Sequence, residues 1–96
     1  MLRITVVDSS SRGVRLHVEG QLVGRGVEEL RRSCDERVPG PGLRLTVDLA
    51  DVSFADPQGI ELLKNLKHQQ VTLVNLSPFL ALQVDDHQGA GFSSEE

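Results

Sequence analysis

The chain has 96 residues, 39% apolar and 25% charged, with a formal net charge of -4 and a pI near 5.3; this leaves room for one core and lies far from the composition of disordered chains. Fourteen acidic residues against ten basic ones, and three Phe without Trp or Tyr, argue against electrostatic or base-stacking binding of nucleic acid. The single Cys34 excludes a disulfide within this sequence and a cysteine-only metal cage, and no apolar run approaches the ~20 residues of a membrane helix.

The N-terminal stretch MLRITVV runs straight into Asp8 without the apolar block of a signal peptide, so a reducing, cytoplasmic setting is expected. Leu2, Ile4 and Val6 alternate with Arg3, Thr5 and Val7, which predicts a strand with the first set turned inward. Asp8 to Gly13 is a polar turn cluster, and Val14, Leu16 and Val18 then alternate with Arg15, His17 and Glu19. Two strands so closely linked predict an antiparallel hairpin.

From Gly24 the period becomes helical. Val27, Leu30, Cys34 and Val38 share a face, with Glu28 and Glu29 early and Arg37 late, as the helix dipole favours. Pro39-Gly40-Pro41-Gly42 ends that helix. Leu43, Leu45, Val47 and Leu49 alternate with Arg44, Thr46 and Asp48 in a third strand, after which Ala50 to Ala55 reads as a loop. Asp56-Pro57 supplies an N-cap and a proline at the first helical position, opening a second helix to about His68. A fourth strand is expected from Val71 to Asn75. Ser77-Pro78 repeats the capping device before a short helix from Phe79 to about Asp86. His87 to Glu96 reads as a loose tail, leaving residues 1–86 as a single domain.

The alternation fixes the layers. Strands covered on both faces read as continuous apolar runs, whereas the first three here each carry one polar face. Helices are therefore expected on one side of the sheet. The whole is a two-layer α/β fold: an N-terminal β-hairpin, then βαβαβα alternation that begins on the hairpin's second strand, forming a mixed four-stranded sheet with right-handed crossovers. Arg3, Thr5, Arg15, His17, Arg44, Thr46 and Thr72 fall on the open face.

At the carboxyl edge of such a sheet the loops Gln21 to Gly26, Asp51 to Gly59 and Asn75 to Pro78 should converge, and open α/β sheets bind ligands and partners there. Projected at 100° per residue, Gly59, Leu62, Leu63 and Leu66 of the second helix face the sheet, and Gly59 permits a close approach. Gln58, Glu61 and Asn65 share another face, the surface a docking protein would meet; an ordinary solvated helix face is the alternative.

Little else points to chemistry. Asp48, Asp51 and Asp56 lack a nucleophile-base pair beside them, and Asp56 is engaged as a cap. Gly24-Arg25-Gly26 is too short for a dinucleotide fingerprint. His17, His68 and His87 are far apart, and Asp85-Asp86-His87 lacks further ligands, so no metal and no cofactor is expected. Cys34, on an apolar stripe, reads as a buried inert thiol. The charges from Glu28 to Arg32 pair opposite signs at helical spacing, as a solvated face does.

The stretch Leu43-Arg-Leu-Thr-Val-Asp-Leu-Ala-Asp-Val-Ser-Phe-Ala-Asp-Pro-Gln-Gly-Ile60 resembles the signature of STAS domains, the anti-sigma factor antagonist family. Gly20 with Leu22, and Asn75-Leu76-Ser77-Pro78, are compatible with it, so the resemblance spans about Leu2 to Asp86. It implies a sheet with helices packed on one side and a non-catalytic regulatory module. Its implied partner is an anti-sigma factor that is also a serine kinase, or another signalling component. In switchable members that kinase phosphorylates a serine or threonine just before the motif glycine. Here that position is Gln58, preceded by Pro57, and neither accepts phosphate; Val23 stands where many members carry an acidic residue. The resemblance thus implies a member without the switch, with Ser53 the one nearby hydroxyl, itself better explained as a strand-end turn residue. It also leaves two alternatives: an accessory subunit clasping the ATPase of a lipid-transporting ABC system, and a domain binding a small ligand.

Overall fold

The alternating strands assemble into one sheet in the order β1 (Leu2–Ser10), β2 (Gly13–Leu22), β3 (Arg44–Ala55) and β4 (Thr72–Val74). The computed structural model describes residues 2–10, 12–36 and 44–84. Val38, the stop Pro39–Gly42, the expected helix end at Asp85 and Asp86, and the tail from His87, with the domain limit placed there, lie outside these residues. β1 and β2 are antiparallel, whereas β2–β3 and β3–β4 are parallel. The crossovers are α1 (Arg25–Glu36) and α2 (Pro57–His68), and α3 (Pro78–Val84) follows β4. This is the mixed sheet and element order expected from the alternation.

The core forms where the inward sides of β2 and β3 meet the helices. Leu16, Val18 and Leu22 of β2, and Leu45, Val47 and Leu49 of β3, are buried with Leu30 and Cys34 of α1, Leu62, Leu63 and Leu66 of α2, and Leu80 and Val84 of α3. Each fully buried leucine contributes about 1.5–3 kcal/mol of transfer free energy. Cys34 is thus part of the core, as its place on the apolar stripe implied. On the outer side of α1, Glu28 and Arg31 form an ion pair one turn apart between exposed side chains.

Four expectations change. The hairpin is longer than its pattern: β1 pairs with β2 as far as Ser10 opposite Gly13. Val6 was expected inward but is 41% exposed. Burial falls along the edge strand from Leu2, against which the first turn of α1 packs at Gly26. β4 is shorter than expected, three residues from Thr72.

The fourth change matters most. Ala50 to Ala55 is no loop but the second half of β3, paired with the end of β2. His17 pairs with Asp48 but Glu19 with Asp51, and Gly20 pairs with Val52 but Gln21 with Phe54. Each step inserts one extra residue on β3, a bulge that shifts which side chains point inward. Inward burial therefore runs Leu45, Val47, Leu49, Val52, Ala55, and the spacing widens from two to three. Alternation breaks while pairing continues, so the stretch has no strand period.

The first bulge begins at a carboxylate on the open face. Asp48, only 9% exposed, accepts hydrogen bonds on Oδ1 from the Ala50 N–H (3.0 Å) and the Asn75 side-chain amide (3.1 Å), and on Oδ2 from Arg15 Nη2 (3.1 Å). Asn75 presents its amide from a left-handed backbone (φ 60°), a conformation asparagine tolerates well. The Ala50 N–H, then Asn75 and Arg15, hold the Asp48 carboxyl down to about 2 against the ordinary 3.8.

Gly59 sits where α2 meets the end of β2. A Cβ at Gly59 would lie 2.5 Å from the Leu22 carbonyl oxygen and 3.0 Å from Leu22 Cγ. The side-chain-free approach expected at this position is therefore required by a backbone atom, which cannot rotate away.

Gly59→Ala is expected to overpack this contact by about 1–3 kcal/mol, of which helix propensity recovers at most about 1 kcal/mol. A urea titration should show a lower midpoint at unchanged slope. A depressed carboxylate adds stability above its unfolded pKa that is lost as pH falls through its folded value. Asp48→Asn should therefore be less stable than the parent chain above pH 4, by on the order of 1–2 kcal/mol. The gap should close between about pH 4 and pH 2, measured by urea midpoints across pH, and a gap independent of pH would contradict the role given to the charge.

Candidate functional site

The three segments expected at the carboxyl edge do meet there, the second of them as the end of β3 and the start of α2 rather than as a loop. Asp56, between β3 and α2, has extended backbone angles (φ -80°, ψ 176°) and caps α2 by accepting the Gly59 N–H on Oδ1 at 2.7 Å. Its Oδ2 accepts the Gly24 N–H at 3.3 Å, and its own N–H donates to the Leu22 carbonyl at 3.2 Å. One residue thus caps the helix and ties down the turn after β2. Pro57 follows at the first helical position, where a missing N–H costs nothing. Substituting such a cap by alanine removes about 0.5–2 kcal/mol of stability.

The third segment is joined by aromatic packing. Phe54, at the end of β3, and Phe79, in the first turn of α3, stack with ring centroids 6.3 Å apart and planes at 17°. The second bulge turns Phe54 outward opposite Gln21, and Ser77 caps α3 by accepting the Leu80 N–H at 3.2 Å. Both rings remain solvent-facing, Phe54 44% and Phe79 47% exposed, and Leu82, one turn beyond Phe79, is 72% exposed. Aromatic residues half out of water at a loop junction are typical anchors for a partner.

Sequence reasoning did not single out these two rings. Phe54 lies in the stretch whose alternation breaks at the bulges. Phe79 had a usable signal: in α3, Leu80 and Val84 form the inward i, i+4 pair, which leaves Phe79 and Leu82 on the outer side.

The second helix is arranged as projected. Gly59, Ile60, Leu62, Leu63 and Leu66 are buried, while Gln58, Glu61 and Asn65 are exposed. Gln58 therefore occupies the solvent-facing first turn, one residue before the glycine that packs on Leu22. Ser53 is exposed on β3, and its hydroxyl donates to the Gly20 carbonyl at 3.3 Å, as a strand-end residue does.

The polar groups of the edge are committed to the backbone: Asp56 to Gly24 and Gly59, Ser53 to Gly20, Ser77 to Leu80. The remaining exposed features are two apolar rings, the uncharged Gln58 amide at the start of α2, and Glu61 and Asn65 further along it. This arrangement can present a shaped surface. No helix among the described residues is long and apolar enough to cross a membrane.

Comparison with known proteins agrees with the fold. A solved structure of the anti-sigma factor antagonist SpoIIAA in its unphosphorylated form is similar over 82% of this chain and 78% of its own, with a TM-score of 0.65 at 17% identity. No match is found among curated proteins. A family model described as "Mlab, STAS domain" matches residues 5–84. The chain belongs to the STAS domain family.

Proposed function

We propose that this domain is a non-catalytic regulatory module that docks a protein partner at its carboxyl edge, in the manner of an anti-sigma factor antagonist but without a phosphorylation switch at residue 58. The observation that carries this reading is the solvent-facing pair Phe54 and Phe79, held at the junction of three segments beside the exposed first turn of α2. The rings supply apolar area, and Gln58, Glu61 and Asn65 supply a polar flank on α2. An anti-sigma factor is the partner class suggested by the similarity to the antagonist SpoIIAA, and the resemblance to the switchable members of the family makes it one of the ATP-binding kinase type.

Gln58 decides how such docking is regulated. Phosphorylation of a hydroxyl at this site would add about -1.5 to -2 charges to the surface and push a partner away. An amide has no such chemistry and carries no charge, so the edge stays in its unmodified, binding form. The same observation favours a second reading: an accessory subunit permanently clasped to the ATPase of a lipid-transporting ABC system, which needs no switch. Both readings use one docking surface and place the protein in the cytoplasm.

Partner capture with the tagged domain in its native host, followed by titration of the captured protein against variants, tests the surface. Phe79→Ala is expected to weaken binding by about ten- to thirtyfold, the effect of losing a moderate hot-spot side chain. Glu61→Arg with Asn65→Arg should weaken it as well, and circular dichroism should show both variants folded. Affinities unchanged in both variants would refute docking at this edge. A captured kinase-type ATPase favours the antagonist reading; a transporter ATPase favours the second.

A further inference from the structure

The open face, opposite the helices, gathers a set of side chains that the docking edge does not use. His17 and Glu19 are two apart on β2 and share its outer side. Between Asp48 and Asp51 the bulge on β3 adds one residue, so both aspartates lie beside that pair, Asp48 opposite His17 and Asp51 opposite Glu19. The ligand atoms of His17, Glu19 and Asp51 lie within 4.8 Å of one another. His17 Nε2 is 2.8 Å from Asp51 Oδ2, while Nδ1, on the other side of the ring, is 3.7 Å from Asp48 Oδ2.

We infer that His17 Nε2, Glu19 and Asp51 form a binding site for a divalent first-row transition metal, with Asp48 orienting the imidazole from behind. One imidazole and two carboxylates suit such an ion, and the two negative charges balance its own. Bonds of about 2.0–2.2 Å to nitrogen and oxygen place tetrahedral ligands about 3.4 Å apart. The present spacing therefore needs only small side-chain rotations, with the His17–Asp51 contact opening as the ion enters. A carboxylate that accepts the other ring N–H of a ligating histidine fixes its tautomer and orientation; Asp48, held by Ala50, Asn75 and Arg15, lies 3.7 Å from Nδ1 and reaches hydrogen-bond distance once the ring turns toward the ion. The competing contact is loose: Arg3 approaches Glu19 only to 3.9 Å, between exposed side chains. Asp51 is exposed, which gives the ion an entry path and leaves a coordination position for water.

Calorimetric titration of the full chain with Zn2+ alone tests the site. One equivalent should bind, and both His17→Ala and Asp51→Asn should lower the affinity at least tenfold. Because Asp51 is exposed, its variant separates ligand loss from misfolding. His68→Ala with His87→Ala should bind as the parent chain does. Asp48→Asn, which removes a positioning residue, should weaken binding by about ten- to a hundredfold and move the Nδ1 nitrogen resonance of metal-bound His17. Absence of binding, equal affinity in the His17 and Asp51 variants, or loss on removing His68 and His87 would overturn the assignment.

Discussion

Everything at the carboxyl edge depends on how closely the first turn of α2 approaches the end of β2. The Leu22 carbonyl occupies the space a side chain at residue 59 would need, so only glycine lets the helix dock. The same carbonyl accepts the Asp56 N–H, and the Asp56 carboxylate spans from Gly59 to Gly24. Steric fit and hydrogen bonding thus fix the helix start. Gln58 is displayed on that rigid turn, and its outward direction follows from the inward direction of Gly59.

The other organising feature is the pair of bulges on β3. The first allows Asp48 and Asp51 to share a face with His17 and Glu19, and it is closed by the Asp48 side chain on the Ala50 N–H. The second returns Ala55 to the core opposite Leu22 and turns Phe54 to solvent. One strand therefore builds a polar cluster on the open face and an aromatic anchor at the edge. Neither would exist with unbroken alternation, which would have sent Asp51 and Asp48 to opposite faces.

How much of this could be read from the residues follows the same physics. Regular periods were legible: the hairpin, the inward face of α2, the Asp56-Pro57 start and the close approach at Gly59 all appear in the fold. The stretch from Ala50 to Ala55 was not, because bulges replace a period of two by a period of three, which matches neither a strand nor a helix. Phe54 and the grouping of His17 with Asp51 were hidden with it, since one depends on the second bulge and the other on the first. Val6 failed for a different reason. Its alternation is real, but burial along this edge strand falls off from Leu2 through Ile4 to Val6. The exposed stripe Gln58, Glu61 and Asn65 was placed correctly by geometry, whereas its meaning depends on what docks there.

We propose that the docking edge is fixed rather than switched, because Gln58 has no hydroxyl to accept phosphate. The most direct measurement is intact mass and affinity of the domain before and after incubation with its captured partner and ATP. An unchanged mass and an unchanged affinity are the expected result. Gain of a phosphoryl group in the segment around residue 58, with release of the partner, would contradict a fixed edge.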